Sequence, residues 1–225
     1  MTAVNRRAVA GFAFLFAALA AALFGPARSF DYWQAWLFLA VFATAGAGVT
    51  IDLARRDPAL LARRVKAGPA AEPTPRQKWI QGLASLAYLA VFVVAGFDHR
   101  EGWSHVPRAA VIAGDALVAL GMFVVFRVFR ANSFTSAVVE VSRDQPLVST
   151  GPYAVVRHPM YAGALVMMLG APIALGSWWG LVPVAAMIAV IVARLLDEEA
   201  LLASQLPGYA EYRRRVRHRL VPRVW

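Results

Sequence analysis

The side chains best equipped for chemistry gather in the last third of the chain. Arg157-His158-Pro159-Met160-Tyr161 places a guanidinium, an imidazole and a phenol within five residues, and Arg194, Glu198 and Glu199 follow after an uncharged stretch. Carboxylates can hold an ammonium and ribose-type hydroxyls, while arginine grips a carboxylate through two parallel hydrogen bonds. Together these groups suit a zwitterionic ligand. Other chemistries lack their residues. With no cysteine there is no disulfide, thiolate zinc site or thiol nucleophile. His99, His105, His158 and His218 are scattered, with no H-E-x-x-H. Neither G-x-G-x-x-G nor G-x-x-x-x-G-K-[ST] is present to cradle a nucleotide.

The elements that must position this cluster are set by composition. The 225 residues are 60% hydrophobic and only 16% charged, with a mean hydropathy of +0.56, where soluble domains carry about 25% charged residues. Ala8–Phe24, Trp33–Ile51, Trp79–Phe97, Ala109–Phe126 and Met160–Gly176 are apolar runs of 17 to 19 residues, and a helix needs roughly 17–25 to cross a hydrocarbon core. Trp178–Ala193, at 16 residues, is a shorter sixth. The expectation is an all-α polytopic integral membrane bundle of about six spans. Asp115 is the one ionisable residue inside these runs, expected to reach the interface or to bond to a neighbouring helix.

A net charge of +10 could indicate nucleic acid, so its distribution matters. With six spans and a cytoplasmic N-terminus, only Arg28, Arg100 and Arg108 of the 23 basic residues fall outside. The inside set includes Arg143 and the tail arginines from Arg213 to Arg223. That asymmetry follows the positive-inside rule. The charge therefore records orientation, with both termini and the chemical cluster facing the cytoplasm, and implies membrane lipids rather than nucleic acid as partners. Arg6-Arg7 before an apolar run resembles a signal peptide, but the run exceeds the usual 7–15 residues and reads as a retained span.

Between the first two pairs of spans lies a connector, 52–78, in which Asp57 and Pro58 suit the N-cap and first position of a short amphipathic helix. Its leucines are expected in the headgroup boundary, and Gly68 to Pro75 reads as loop. The segment from Arg130 to Arg157 is too polar to span, with Asn132, Ser133, Glu140, Asp144 and Gln145. Two regions result: membrane helices over 1–129, and a ligand-binding region over 130–225 ending in a helical hairpin and a basic tail. The hairpin turns at Gly176-Ser177-Trp178-Trp179-Gly180, so its two ends, carrying Tyr161 and Glu198, should meet at one membrane face.

The motif Arg157-His158-Pro159-Met160-Tyr161, an apolar hairpin and Glu198-Glu199 resembles the R-H-P-x-Y…E-E signature of the isoprenylcysteine carboxyl methyltransferase family, itself similar here to the membrane phospholipid N-methyltransferases. The likeness extends from Asn132-Ser133-Phe134 and Pro146 to Tyr153 on one side to Leu202, Tyr209, Tyr212 and Pro222 on the other. It implies an integral-membrane methyltransferase using S-adenosylmethionine. Carried over by position, Gln145, Leu147, Val148, Tyr153, His158, Pro159, Tyr161, Glu198 and Glu199 would contact the cofactor. Arg194, with Arg157 beside it, would be catalytic and face a lipid or lipid-linked methyl acceptor. Between the acidic pair and Tyr209 the chain is one residue shorter than the family's eukaryotic members and has Leu206-Pro207-Gly208 there, a departure on the acceptor side of the pocket.

Methyl transfer from a sulfonium is an in-line displacement, so the protein chiefly aligns the two partners and keeps water away. A carboxylate acceptor needs no base, whereas an ammonium must first lose a proton. Arg194 would suit a carboxylate or phosphate group by charge pairing, which favours an anionic headgroup or carboxylate, and so O-methylation over phospholipid amine N-methylation. Arg194 and Glu198 could instead form only an intrahelical ion pair, the tyrosines could be interfacial aromatics, and the arginine-rich tail a lipid anchor. A nicotinamide-dependent membrane reductase and a non-catalytic polytopic protein are the other classes such a sequence admits. The expected location is a bacterial inner membrane.

Overall fold

A computed structural model describes residues 3–141 and 145–225. The expected side of Arg143 and the polar part played by Asp144 lie outside the described residues. Among the described residues the chain is all helix and loop: α1 (Ala3–Ala27), α2 (Trp33–Arg56), α3 (Pro58–Val65), α4 (Pro75–Glu101), α5 (Arg108–Ala131), α6 (Pro159–Ala174), α7 (Leu181–Gln205) and α8 (Tyr209–Arg215). The molecule is a polytopic membrane helical bundle. Helices α1, α2, α4 and α5 are long and apolar enough to cross a bilayer. Helix α6 is apolar but has 16 residues, and α7 is apolar only until Arg194, after which it carries Asp197, Glu198 and Glu199. The last two of the six expected spans thus differ from the first four.

The core forms where α1, α2, α4, α5 and α6 turn large side chains inward: Leu19, Leu23, Tyr32, Phe38, Phe92 and Leu175 are almost wholly buried. Helix α1 contributes to this core throughout its second half. Helix α6 lies along α5, and glycine makes that contact possible. A Cβ on Gly114 or Gly121 of α5, or on Gly163 or Gly170 of α6, would strike backbone of the facing helix. Small residues at regular spacing let membrane helices approach closely when there is little hydrophobic force to drive them together. Of the two glycines in α2, Gly46 faces the Phe12 ring and Gly48 faces open space.

The loops differ from their sequence reading in three places. The Asp57 side chain caps α3 by accepting from the Leu60 N–H at 2.9 Å, as its position before Pro58 implies. Leu60 and Leu61, however, are buried against Ala8, Leu53 and Phe129 rather than placed in lipid. The loop after α3 makes a short 3-10 turn at Pro69–Ala71 and buries Glu72 to 2% exposure. At the opposite end, α4 continues through Asp98 to Glu101, and Gly102 ends it in the left-handed conformation. Asp115 meets neither expectation: it is buried in α5, and neither carboxylate oxygen has a hydrogen-bond partner among the described residues. Exposed Trp33, Trp36, Trp103, Trp178 and Trp179 ring the end with the shorter loops, the aromatic belt expected at a membrane interface.

Candidate active site

The residues singled out by the Arg157–Tyr161 and Arg194–Glu199 motifs lie at the other end, where α1, α4 and α6 begin and α2, α5 and α7 finish. The first turn of α6 and the last third of α7 meet there. The Tyr161 hydroxyl donates to Glu198 Oε2 at 2.6 Å, and Arg194 Nε donates to the same hydroxyl at 3.2 Å. Helices α6 and α7 meet at this end without packing closely along their length; α6 follows α5, and α7 follows α4.

Glu199 faces away from Glu198 and gathers two arginines and a histidine. Arg157 Nε donates to Oε1 at 2.6 Å, His158 Nε2 stands 3.3 Å from the same oxygen, and Arg219 Nε donates to Oε2 at 2.9 Å. Burial alone would push this carboxyl up, but the bonds from His158, Arg157 and Arg219 hold it well below the usual carboxylate range. Arg157 Nη1 also donates to the carbonyls of Val216 and Arg217. The backbone N–H groups of Arg157 and His158 donate to the carbonyls of His218 and Arg219, both at 2.9 Å. The tail is therefore strapped across the base of α6, with Leu220 buried against Tyr161 and Leu195, so part of the basic tail is bonded into the fold beside the site. Arg157 borders the cavity, but these bonds make it the clamp that holds the strap.

Arg194 is likewise committed, though not to Glu198. Its Nη2 pairs with Glu72 at 2.7 Å, a contact too bent for a hydrogen bond, and donates to the Ala137 carbonyl at 3.1 Å; Nη1 donates to Gln77 Oε1 at 3.0 Å. The intrahelical Arg194–Glu198 pair does not form. Glu72 in turn accepts from the Val139 N–H, and Gln77 donates to Asp197, which also pairs with Arg76. The connector between α2 and α4 thus closes over the site, where its proline-rich sequence reads as loop. Glu72 and Gln77 escaped sequence reasoning; the one available signal is that Glu72 is the sole acid between Asp57 and Asp98.

Beside this network lies a cavity of about 750 Å³, within the range of roughly 300–1,000 Å³ typical of small-molecule sites. Its polar end is lined by Gln145, Leu147, Val148, Tyr153, His158, Pro159, Tyr161, Arg194 and Glu198, so every cofactor-side residue named from the sequence except Glu199 borders it. Tyr209 and Tyr212 add two more phenols. The Tyr212 hydroxyl donates to the Tyr153 carbonyl, and the Tyr153 hydroxyl accepts from Asn132 Nδ2. Burial pushes the Tyr153 phenol up to about 12. The Tyr209 hydroxyl is buried and has no partner among the described residues. The other end is an apolar arm between α1, α2 and α5, bordered by Gly11, Phe12, Leu15, Phe42, Gly46 and Met122. At the junction stands Arg64 of α3, its guanidinium over the Phe129 ring and donating to the Ser136 carbonyl at 2.8 Å. Burial lowers its pKa to about 10, which leaves it charged at neutral pH.

The fold and this site define a helical membrane protein with a cavity that is apolar at one end and opens at the other toward a charged helix-end cluster. The comparisons agree with the resemblance carried by the Arg157–Tyr161 motif. Residues 109–207, from α5 to the end of α7, match the phospholipid methyltransferase family, which includes isoprenylcysteine carboxyl methyltransferase-like proteins. The cobalt-zinc-cadmium resistance protein CzcN of Cupriavidus metallidurans is 32% identical over 104 residues, 44% of this chain. The chain spans about half, 46%, of that relative's length.

Proposed function

We propose that this protein is an S-adenosylmethionine-dependent membrane methyltransferase whose acceptor is an amphiphile held partly within the bundle. The observation that carries the reading is that one continuous cavity joins the polar cluster to an apolar arm at membrane-span depth. The donor set fits the cofactor. Glu198 presents a carboxylate to the cavity for an ammonium, Gln145 and Tyr153 border the same end, and the orphaned Tyr209 hydroxyl offers a hydrogen bond that the described residues do not take up. When bound, the cofactor supplies a sulfonium-activated methyl group. The protein's part is then to hold, align and exclude water.

Tyr161 fixes the Glu198 carboxylate through its hydroxyl, and Arg194 fixes Tyr161. Arg194, neutralised by Glu72 and bonded to Gln77, acts as the brace of that arrangement more than as a free cation for the acceptor. The charge argument that favours a carboxylate therefore loses its first support at Arg194. Similarity to the phospholipid methyltransferases favours a second reading, N-methylation of a phospholipid amine. The skewed distribution of basic residues supports a cytoplasmic active site in a bacterial inner membrane.

Incubating the purified protein with methyl-labelled S-adenosylmethionine, total lipid extract, an amino-phospholipid and a prenylcysteine analogue tests the proposal. Label should enter an organic-soluble product, and Glu198→Gln should lower both label transfer and calorimetric cofactor affinity by about a hundredfold, the order expected when a charged hydrogen-bonded partner is removed. Tight binding of NADPH in place of S-adenosylmethionine would overturn it.

A further inference from the structure

Four arginines border the cavity, and they are not equivalent. Arg157 is paired with Glu199 and Arg194 with Glu72. Arg7 projects from the exposed first turns of α1 at the rim. Arg64 is only partly exposed, and among the described residues no carboxylate lies within ion-pairing distance of it. Its contacts are one carbonyl, the Met160 sulfur and the Phe129 ring. A guanidinium removed from water without a counter-ion is costly. One that faces a cavity can receive its anion from a ligand.

Position narrows what that ligand is. Helix α3 is anchored by buried Leu60 and Leu61 against Ala8 and Phe129, which places Arg64 where the apolar arm meets the polar end. The cavity's own acids do not answer it: Glu198 accepts from Tyr161, and exposed Glu140 accepts from Ser136. We infer that Arg64 is the anion-binding residue for the acceptor, pairing with a carboxylate or phosphate group of an amphiphile whose hydrocarbon part lies in the α1–α2–α5 arm. This rests on the methyltransferase reading for the word acceptor alone; the anionic amphiphile site stands on the cavity itself. It also restores the preference for an anionic acceptor, on a residue of the connector in place of Arg194. Arg63 supplies the control, since it donates to the Ser133 carbonyl from the same helix and does not border the cavity.

The test uses the full chain in maltoside micelles, with 11-(dansylamino)undecanoic acid as fluorescent probe. Dodecanoate, dodecyl phosphate and methyl dodecanoate compete against it. Both anions should compete at least about tenfold better than the neutral ester, the scale of one partly desolvated charge pair, and whichever anion is stronger identifies the group. R64Q should abolish the preference, R64K should keep part of it and R63Q all of it. R64M, which retains the apolar stem, replaces R64Q if the latter does not fold. Equal competition by anion and ester in the wild type, a preference that survives in R64Q, or an equal loss in R63Q overturns the inference. Calorimetric S-adenosylmethionine binding is measured on the same preparations. Its failure would remove the methyltransferase reading while leaving the Arg64 result to be judged on its own.

Discussion

Each end of the bundle is gathered by a buried carboxylate, and the two are satisfied by opposite chemistry. At the site end, Glu199 is surrounded by Arg157, His158 and Arg219. At the other end, Asp98 accepts from the Ser104 N–H at 2.8 Å and hydroxyl at 2.6 Å and from the Ser177 hydroxyl, with no cation in the set. Ser104 also accepts from the Trp178 N–H, so α4, the loop before α5 and the turn between α6 and α7 share one knot of neutral bonds. Cations pull distant segments together and fix side chains at defined angles, which a site for charged ligands requires. Neutral donors tie loops without adding basic residues to an end of the bundle where, among the described residues, the arginines are Arg28, Arg100 and Arg108.

The largest effect that would sharpen this contrast is expected at Glu199. Glu199→Ala leaves Arg157, 7% exposed, without its counter-ion. Removing one partner of a buried pair costs about 3–5 kcal/mol, equivalent to a fall of about 10 °C in Tm for a chain of this size. Because the folded-state pKa is depressed, the stabilisation is fully present above the ordinary glutamate value of 4.5 and is lost as pH falls below it. Melting curves of the wild type should decline through that acid range, and those of Glu199→Gln should lack this component. An unchanged acid profile in the variant would show that the cation cluster does not hold the strap.

At the neutral end a smaller loss is expected. Asp98→Asn keeps the shape but turns an amide N–H toward the donors of Ser104 or Ser177, costing about 1–3 kcal/mol for the unmade bonds. Label transfer per folded molecule should stay at the wild-type rate, since the knot lies at the opposite membrane face from the cavity. A fall in turnover larger than the fall in folded fraction would break the division between a clasp at one end and a site at the other.

The sequence made these two ends unequally legible. Helices show through because apolar runs of spanning length leave little choice of structure, and Asp57 before Pro58 announces the α3 cap. The meeting of Tyr161 with Glu198 follows from the hairpin order. What did not show were bonds between segments distant in sequence. Glu72 sits in a Gly-Pro-Ala-Ala-Glu-Pro stretch that carries every mark of a loop, and only the folded chain reveals that Arg194 lies opposite it. Basic residues in the tail satisfy the positive-inside rule equally well in water or paired with Glu199, so charge counting cannot distinguish a strap from a lipid anchor. The α5–α6 contact was hidden for a related reason. Four glycines spaced through two apolar helices carry no chemical signature until the helices face each other.

The smallest expected effect distinguishes a binding group from a structural one within the site end itself. Tyr209 is buried beside Tyr212 and Leu206 and is among the residues lining the cavity, and its buried hydroxyl has no partner among the described residues. Burial raises its pKa, so it is a neutral donor at physiological pH. Tyr209→Phe removes an unsatisfied buried hydroxyl while keeping the ring, so the ligand-free protein should be no less stable and could gain about 0.5–1 kcal/mol. S-adenosylmethionine affinity should fall by about three- to tenfold, the value of one neutral hydrogen bond. The opposite pairing, a marked loss of Tm with unchanged cofactor affinity, would assign Tyr209 to the same structural role as Glu199. A donor left unsatisfied by the fold but satisfied by a ligand destabilises the empty site slightly and strengthens binding, a coupling that Glu199, fully engaged by Arg157, Arg219 and His158, cannot produce.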